Sequence, residues 1–182
     1  MTKPGDIKIL EYLKSRSHQN EGVKLLLEKY GTALYGFILI YTHQQPDADD
    51  VFQEVLIKVV KKIKKFQGQS TLKTWVWQIA KNQCIDFLRK KRRMELNIEK
   101  TTSYSSNKLV EEPYFNGDEI LKKLHEEVSQ LPESQKNVFI LRYFEGMSYR
   151  EIAQITGKTE NNLKTSFHYA SKSIAENMKS LL

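Results

Sequence analysis

Residues 66–93 read FQGQSTLKTWVWQIAKNQCIDFLRKKRR, and they concentrate chemical groups that bind unpaired nucleic acid. The segment opens with a polar loop around Gly68 and ends in five consecutive cations at 89–93. Cationic side chains neutralise phosphates and release condensed counterions, while amide and aromatic groups hydrogen-bond to or stack on bases that have left the double helix. The segment therefore predicts contact with opened nucleic-acid strands.

A second DNA-binding signal lies between residues 148 and 178. Ser148 and Glu151 have the S-x-x-E spacing of a capping box, which predicts a helix start. Gly157 supplies a tight turn, Thr159 can cap the next helix, and Leu163 takes the apolar packing position of a helix-turn-helix. The opposite face of the second helix carries side chains that can reach base edges and phosphates in a major groove: Asn161, Lys164, Thr165, His168 and Lys172. Taken alone, this helix also fits an ordinary solvated surface.

Helices must position both segments, because apolar residues recur at helical spacing along most of the chain and sustained alternation of period two is missing. This pattern predicts an all-α fold. The periodicity is lost at residues 94–118, which contain Pro113 and Gly117. We therefore expect two small helical domains, residues 1–93 and 119–182, joined by an extended linker at 94–118.

Charge is distributed unevenly over these three parts. The chain carries 29 Lys and Arg against 22 Asp and Glu, and the formal charges of the first domain, the linker and the second domain are +9, −3 and +1. Phosphate attraction is thus expected mainly in the first domain, next to an acidic linker. A generally basic soluble protein is the alternative interpretation of the same composition.

Several classes of function are disfavoured by the sequence. Cys84 is the only cysteine, so an internal disulfide is excluded and a reducing cytoplasm is expected. The longest apolar run, FILIY at 37–41, is too short to cross a bilayer. The four histidines are scattered, and neither a Cys/His ligand spacing nor a nucleophile motif is present. We expect a cytoplasmic protein that is not an enzyme and needs no metal or other cofactor.

Three segments, in this order, resemble the conserved regions of the extracytoplasmic-function (ECF, group 4) sigma factors of the sigma-70 family. Residues 47–63, DADDVFQEVLIKVVKKI, are similar to the family's core-binding helix, and residues 66–93 are similar to its promoter-melting element. Residues 131–157, LPESQKNVFILRYFEGMSYREIAQITG, resemble the start of its fourth conserved region. The resemblance implies a factor that binds core RNA polymerase, directs it to specific promoters and helps to melt them.

The resemblance also implies the partners and the residues that meet them. Core polymerase would be bound through the beta-prime clamp coiled coil and the beta flap, with the clamp meeting Asp50, Gln53, Glu54 and Ile57. The minus-ten element, opened to single strands, would meet Gln67, Gly68, Gln69, Ser70, Lys73, Gln78, Lys81, Asn82, Arg89, Lys91 and Arg92. The minus-thirty-five element would be read as duplex by Lys158, Thr159, Asn161, Asn162, Lys164, Thr165, His168 and Lys172. An anti-sigma factor is a further partner common in the family, although nothing in these residues demands one.

The promoter-melting helix has further expected features. Leu72, Trp75, Val76, Ile79 and Phe87 form its predicted buried stripe, so Trp75 is interpreted as a core residue and not as a base-stacking platform. Thr74 is expected on the DNA-facing side, together with the polar side chains named above. Asp86 has no carboxylate partner at helical reach, and we expect it to pair with Arg89 or Lys90.

One feature departs from the family, and one rival class of protein remains open. The recognition helix reads NNLKTSFHYA at 161–170 where the family usually has a T-V-K-S-R type run, so the promoter motif stays undetermined. The rival is a helix-turn-helix regulator that binds duplex DNA without joining polymerase. It would account for residues 120–182 but leaves residues 47–63 and 66–93 without a role.

Overall fold

The computed structural model describes residues 4–99 and 119–179, and the regular elements in these ranges are all helical. The all-α prediction is therefore confirmed. The first domain contains α1 (Pro4–Lys14), α2 (Gln19–Thr42), α3 (Gln45–Lys62) and α4 (Leu72–Glu99), with a short 3₁₀ turn at Ile63–Lys65. The second domain contains α5 (Glu119–Gln130), α6 (Glu133–Phe139), α7 (Tyr149–Thr156) and α8 (Glu160–Met178).

The first domain is a helical bundle in which α2 packs against α1, α3 and α4. On α3 the buried residues Val51, Val55 and Val59 recur every four positions, as one face of a helix requires. The bundle core also holds one buried carboxylate, Asp6 on α1. Asp6 accepts hydrogen bonds from the Tyr30 hydroxyl at 2.7 Å and the Lys29 ammonium at 2.6 Å, which fix α1 onto α2.

The second domain is organised around α8, which packs against α5, α6 and α7. The local signals read from the sequence are all present. Ser148 Oγ accepts from the Glu151 amide at 3.2 Å while the Glu151 carboxylate accepts from the Ser148 amide at 2.9 Å, which completes the capping box. Gly157 has a φ of 72°, and the hydroxyl of Thr159 caps α8 by accepting from the Asn162 amide at 3.3 Å. Leu163 is buried, so the helix-turn-helix is confirmed.

Between α6 and α7 the chain widens into a π-helical turn at Ile140–Phe144. The turn ends when the Glu145 amide donates to the Ile140 carbonyl at 3.2 Å, and Gly146 then adopts a left-handed φ of 61°. Glycine takes this conformation without the steric penalty that a Cβ would bring. This sharp exit places the Glu145 side chain at the edge of the second domain.

The boundary predicted at residue 93 is not where α4 ends, because the helix continues to Glu99. In this added segment, the side chains of Met94 and Leu96 are exposed. Met, Glu and Leu are nevertheless strong helix formers, so the helix extends past its packed part by propensity and continuity. Residues 100–118, which hold most of the predicted acidic linker, lie outside the described residues.

The two domains are in contact. Helix α4 packs on α7, and α2 packs on α5. The buried hydroxyl of Tyr41, on α2, also donates a hydrogen bond to Oδ1 of Asn137, on α6. The second domain is therefore seated on the same α4 helix that carries the predicted melting face.

Candidate nucleic-acid interface

The loop before α4 offers a polar, open surface. Gly68 is exposed at a φ of 73°, and a Cβ built there would meet no atom within 4 Å. Gln67 and Gln69 are also exposed, and the Gln69 amide donates to the Gln67 side-chain carbonyl at 3.1 Å. Thr71 ends the loop, because its hydroxyl accepts from the Thr74 amide at 3.1 Å and caps α4. The loop thus presents amide groups to solvent from a fixed attachment point.

The far part of the α4 face carries exposed cations and an amide. Asn82, Arg89 and Arg92 are exposed. Arg89 lies 3.8 Å from the Asp86 carboxylate, so the predicted pairing of Asp86 is confirmed. Both groups of that pair are solvated, and it holds the guanidinium only weakly. These side chains can reach a phosphate backbone without rearrangement of the fold.

Lys91 is placed differently from its neighbours. Its ammonium lies 2.6 Å from the carboxylate of Asp47, in the first turn of α3, and above the Phe87 ring at 6.0 Å. This ion pair joins the cationic segment of α4 to the first turn of α3. Among the cations predicted to bind phosphate, Lys91 therefore already has an anionic partner within the chain.

The middle of the predicted face contacts the second domain. Lys73 lies 2.9 Å from the Glu145 carboxylate and donates to the Glu145 carbonyl at 2.8 Å. Gln78 and Lys81 donate to the backbone carbonyls of residues 154 and 155 on α7, at 3.3 and 3.4 Å. Glu145 and the α7 carbonyls could not be predicted from the sequence, because no local pattern marks partners more than seventy positions away.

Two positions of the α4 wheel differ from the predicted arrangement. Thr74, expected on the DNA-facing side, is buried, and its hydroxyl bonds to that of Thr71 at 2.8 Å. Trp77 and not Trp75 is the fully buried tryptophan, packed edge-on against Tyr30 at 5.7 Å. Trp75 is half-buried against Phe66 at 5.3 Å. The predicted stripe itself is present, because Leu72, Val76 and Ile79 are buried and the half-buried Trp75 and Phe87 pack against the core. The buried surface of α4 is wider than that stripe, because the helix packs on its own bundle and also on α7.

The recognition helix presents the whole predicted set to solvent. Lys164 lies over the Tyr149 ring at 5.9 Å, and the Thr165 hydroxyl donates to the Asn161 carbonyl at 3.1 Å. Lys172 is 3.9 Å from Glu176, in a pair whose two members are exposed. All side chains of this set are exposed: Lys158, Thr159, Asn161, Asn162, Lys164, Thr165, His168 and Lys172.

The outer face of α3 forms a third surface, made of Asp50, Gln53, Glu54 and Ile57. All four side chains are exposed, and Ile57 is 43% accessible although it is aliphatic. Within residues 4–99 and 119–179, no ion pair or side-chain hydrogen bond engages Asp50 or Glu54. The neighbouring Asp49 instead accepts from the Tyr35 hydroxyl at 2.7 Å. The surface is acidic with one apolar contact point.

Burial sets the protonation of two groups near these surfaces. Desolvation raises the pKa of the Glu145 carboxyl, and the attraction of Lys73 offsets only part of that effect. Burial also raises the pKa of the Cys84 thiol to about 12, so this cysteine is a neutral core residue.

None of the helices in residues 4–99 and 119–179 combines the length and the apolar composition that a membrane span requires. In the same residues, no group of three or more His, Cys, Asp and Glu side chains is arranged to hold a metal ion.

Comparison with known proteins identifies both domains. Residues 26–94 match the family model for sigma-70 region 2, and residues 121–174 match that for sigma-70 region 4. The first match contains α3, the loop and most of α4, and the second contains the helix-turn-helix. The surfaces described above therefore lie in two regions of one class of transcription-initiation subunit.

Individual relatives give the same result. The chain is 34% identical over 138 residues to RNA polymerase sigma factor SigV of Bacillus subtilis strain 168, covering 76% of this chain and 80% of that protein. It is 27% identical over 166 residues to the ECF sigma factor SigX of the same strain, covering 88% and 86%. The fold is similar to that of the sigma factor RpoE of Bartonella quintana, solved in complex with the anti-sigma factor NepR. The TM-score is 0.72 at 26% identity, covering 86% of this chain and 96% of that one.

The chain belongs to the sigma-70 family of RNA polymerase sigma factors, in its extracytoplasmic-function class. It binds core RNA polymerase, directs it to promoters and helps to melt them, as the resemblance implied. The matches to region 2 give residues 47–63 and 66–93 the role that a simple duplex-binding regulator leaves without explanation.

Proposed function

We propose that this sigma factor divides initiation among three surfaces on two domains. Residues 1–93, with the last turns of α4, form the domain that binds polymerase and opens the minus-ten element. Residues 119–182 form the domain that reads the minus-thirty-five element, and the acidic segment between them is the linker. The observation that carries the proposal is the order of the two matched regions along the chain, each with its own exposed polar helix face.

The α3 surface is proposed to dock on the coiled coil of the beta-prime clamp. Asp50 and Glu54 supply negative charge, Gln53 adds hydrogen-bonding capacity, and Ile57 adds apolar contact. An exposed aliphatic side chain alone carries little weight. Its position among anions that have no partner on the described chain favours a protein partner with basic and apolar groups. The second domain is proposed to meet the beta flap.

The loop and α4 are proposed to hold the opened minus-ten strand. Gln67, Gly68, Gln69 and Ser70 would receive a base that has left the stack, and Asn82 would contact a base at the family's matching position. Lys73, Gln78, Lys81, Arg89, Lys91 and Arg92 would hold the backbone near the edge of the duplex. Binding of the flipped base favours the open promoter because it stabilises only the melted state.

The exposed face of α8 is proposed to read the minus-thirty-five element in the major groove. Lys164 and Lys172 suit phosphates, while Asn161, Thr165 and His168 suit base edges. This face holds no arginine, so the usual bidentate contact to guanine is not available from it. We infer a preference for sites in which amide and hydroxyl groups can pair with adenine or thymine edges.

Polymerase carries out the covalent chemistry, and the sigma factor acts by position, without a cofactor. It works in the cytoplasm, where core polymerase and promoter DNA meet. Because the Bartonella relative was solved with an anti-sigma factor, we propose a partner of that class here as well.

The test of the polymerase surface uses charge reversal. Asp50→Lys combined with Glu54→Lys should abolish co-elution with core polymerase and the run-off transcript from a matched promoter. Glu11→Lys combined with Glu28→Lys makes the same charge change at exposed positions of the first domain and should preserve both activities. Full activity of the Asp50 and Glu54 variant would overturn the assignment of α3.

A further inference from the structure

The exposed face of α8 carries one large aromatic side chain, Tyr169. This residue is 57% accessible, and no other large hydrophobic residue of α8 is exposed. The nearby Phe167 instead points into the second domain, where its ring stacks on Phe139 at 5.8 Å. The domain core therefore does not use the Tyr169 ring, and packing within the chain does not explain an aromatic residue at this position.

Tyr169 lies within the face of α8 that is proposed to read duplex DNA. Because an α-helix turns once in about 3.6 residues, Tyr169 lies one turn beyond Thr165 and two turns beyond Asn162, with Lys172 in the following turn. All four side chains are exposed. A helix that brings Asn162, Thr165 and Lys172 to a major groove brings the Tyr169 ring there as well.

The neighbouring His168 provides a second ring beside Tyr169. The two ring centroids are 5.8 Å apart and the ring planes meet at 66°, close to the edge-to-face arrangement that aromatic pairs prefer. The pair places apolar ring surface on a face that otherwise presents amides, hydroxyls and ammonium groups. A tyrosine side chain has only two torsion angles, so it makes a large contact at a low cost in conformational entropy.

The major groove offers one apolar feature that depends on sequence, the C5-methyl group of thymine. Cytosine has no methyl group and presents an amino donor instead. Since α8 contains no arginine, the usual bidentate contact to guanine is not available from this helix. An exposed ring on a face without arginine is suited to a thymine methyl group.

We propose that Tyr169 is a specificity-determining residue that selects a thymine in the minus-thirty-five element by packing its ring on the C5-methyl group. This inference rests on the proposed function of α8. Four residues of helix advance about 6 Å, whereas successive base pairs are about 3.4 Å apart. The selected thymine therefore lies no more than about two base pairs from the position that Thr165 reads.

Deoxyuridine tests the contact, because it pairs like thymine and lacks only the C5-methyl group. Selection of the full chain on a duplex library with a randomised segment first identifies a preferred site. Each thymine of that duplex is then replaced by deoxyuridine in turn, and the affinity of the full chain is measured by fluorescence anisotropy. We expect at least one replacement to weaken wild-type binding about fourfold, as the loss of one buried methyl group would.

Three variants assign the effect to the ring of Tyr169. Tyr169→Ala should bind the thymine and deoxyuridine duplexes equally, whereas Tyr169→Phe keeps the ring and should keep the fourfold difference. Tyr143→Ala makes the same truncation at a tyrosine that is 60% accessible and lies outside α8, and it should also keep the difference. An undiminished deoxyuridine effect in Tyr169→Ala would overturn the proposal, as would the absence of any such effect in the wild type.

Cytosine methylation gives a second measurement with the opposite sign. A cytosine–guanine pair is placed at the sensitive position, with or without a C5-methyl group on the cytosine. Methylation should strengthen binding of the wild type and leave binding of Tyr169→Ala unchanged. Equal responses of the two proteins would assign the methyl contact to another residue and contradict the proposal.

Lys164→Ala distinguishes failure of this inference from failure of the proposed function. If deoxyuridine has no effect while the selected site is still preferred and Lys164→Ala weakens duplex binding, the assignment of Tyr169 is wrong and the role of α8 stands. If selection yields no preferred site and Lys164→Ala leaves duplex binding unchanged, α8 does not read DNA. That result would overturn the proposed function of the second domain together with this inference.

Discussion

The polar faces of α4 and α8 are built from the same kinds of residue, yet they differ in how ready they are to bind. On α8 the lysines, amides and hydroxyls all point to solvent. On α4 the corresponding side chains in the middle of the face are bonded to the second domain, and Lys91 is bonded to Asp47. Composition therefore indicates which face can bind DNA, whereas long-range packing decides which face can do so at once.

Helix α7 is responsible for this difference. It packs against α8 on one side and against α4 on the other. Ile152 and Ile155 are the buried residues of α7. This single short helix both supports the recognition helix and contacts the α4 face that is proposed to hold the opened strand.

The largest effect should come from the core beneath the α4 face. Trp77→Ala removes a fully buried indole, and we expect the free energy of unfolding to fall by about 3–5 kcal/mol. Trp75→Ala, at a half-buried position, should cost about 2 kcal/mol. Urea denaturation measures both. A larger loss for Trp75 than for Trp77 would show that the bundle core is assigned wrongly.

The next effect distinguishes an exposed cation of α4, Arg92, from a cation that is already paired, Lys91. Arg92→Ala should weaken binding to all DNA sequences alike and lower the slope of log affinity against log salt by about one. The sequence alone predicts the same for Lys91→Ala. Because Lys91 is paired with Asp47, we now expect a smaller slope change and a loss of roughly 0.5–1 kcal/mol in stability. Salt titrations by fluorescence anisotropy, with urea denaturation, compare the two variants, and equal slopes would remove the distinction.

A smaller effect is expected on α8, where sequence is read. Thr165→Ala should change the preference among minus-thirty-five variants by roughly 1 kcal/mol. Binding to a duplex with a central unpaired bubble should stay unchanged. Competition between labelled and unlabelled duplexes measures the preference. A uniform loss over all duplexes would assign Thr165 to the phosphate backbone instead.

The smallest effect is the pH dependence carried by Glu145. Its pKa is raised by burial, so the folded chain takes up this proton before the unfolded chain does. The contribution of Glu145 to stability therefore rises as pH falls through the raised pKa and levels off below the ordinary carboxyl value. Relative to Glu145→Gln, the wild type should gain stability as the pH falls through the raised pKa of Glu145 towards the ordinary carboxyl pKa. A relative loss on acidification would contradict the burial of this carboxyl.

Local signals in the sequence were sufficient for the helix-turn-helix. The capping box, the turn glycine and the packing position of Leu163 all lie within a short stretch, and each is set by backbone or nearest-turn chemistry. Loss of the apolar periodicity after Arg93 predicts the end of α4 too early, because the helix continues to Glu99. Helix propensity and continuity explain this extension, in which Met94 and Leu96 are exposed.

Other features of the candidate site have no local signature. Thr74 and Trp77 are buried because α4 packs on its own bundle and, on another side, on α7. A helical wheel with one apolar stripe predicts packing on only one side. The partner of Lys73 lies 72 positions along the chain, so the contact depends on how two domains meet. Residue types and helical spacing predict which side chains are polar and outward, and tertiary packing determines which of them are already bonded.

The ion pair between Lys91 and Asp47 links the cationic segment of α4 to the first turn of α3, close to the acidic α3 surface. Asp47 lies three residues before Asp50 on the same helix, and Lys91 lies in the cationic segment of α4. A phosphate that captures Lys91 would release the Asp47 carboxylate beside Asp50 and Glu54, the acids proposed to meet the clamp, and so strengthen their attraction for a basic partner. By thermodynamic reciprocity, a clamp that attracts Asp47 would equally free Lys91 for the nucleic acid, so that promoter and enzyme would each promote capture of the other.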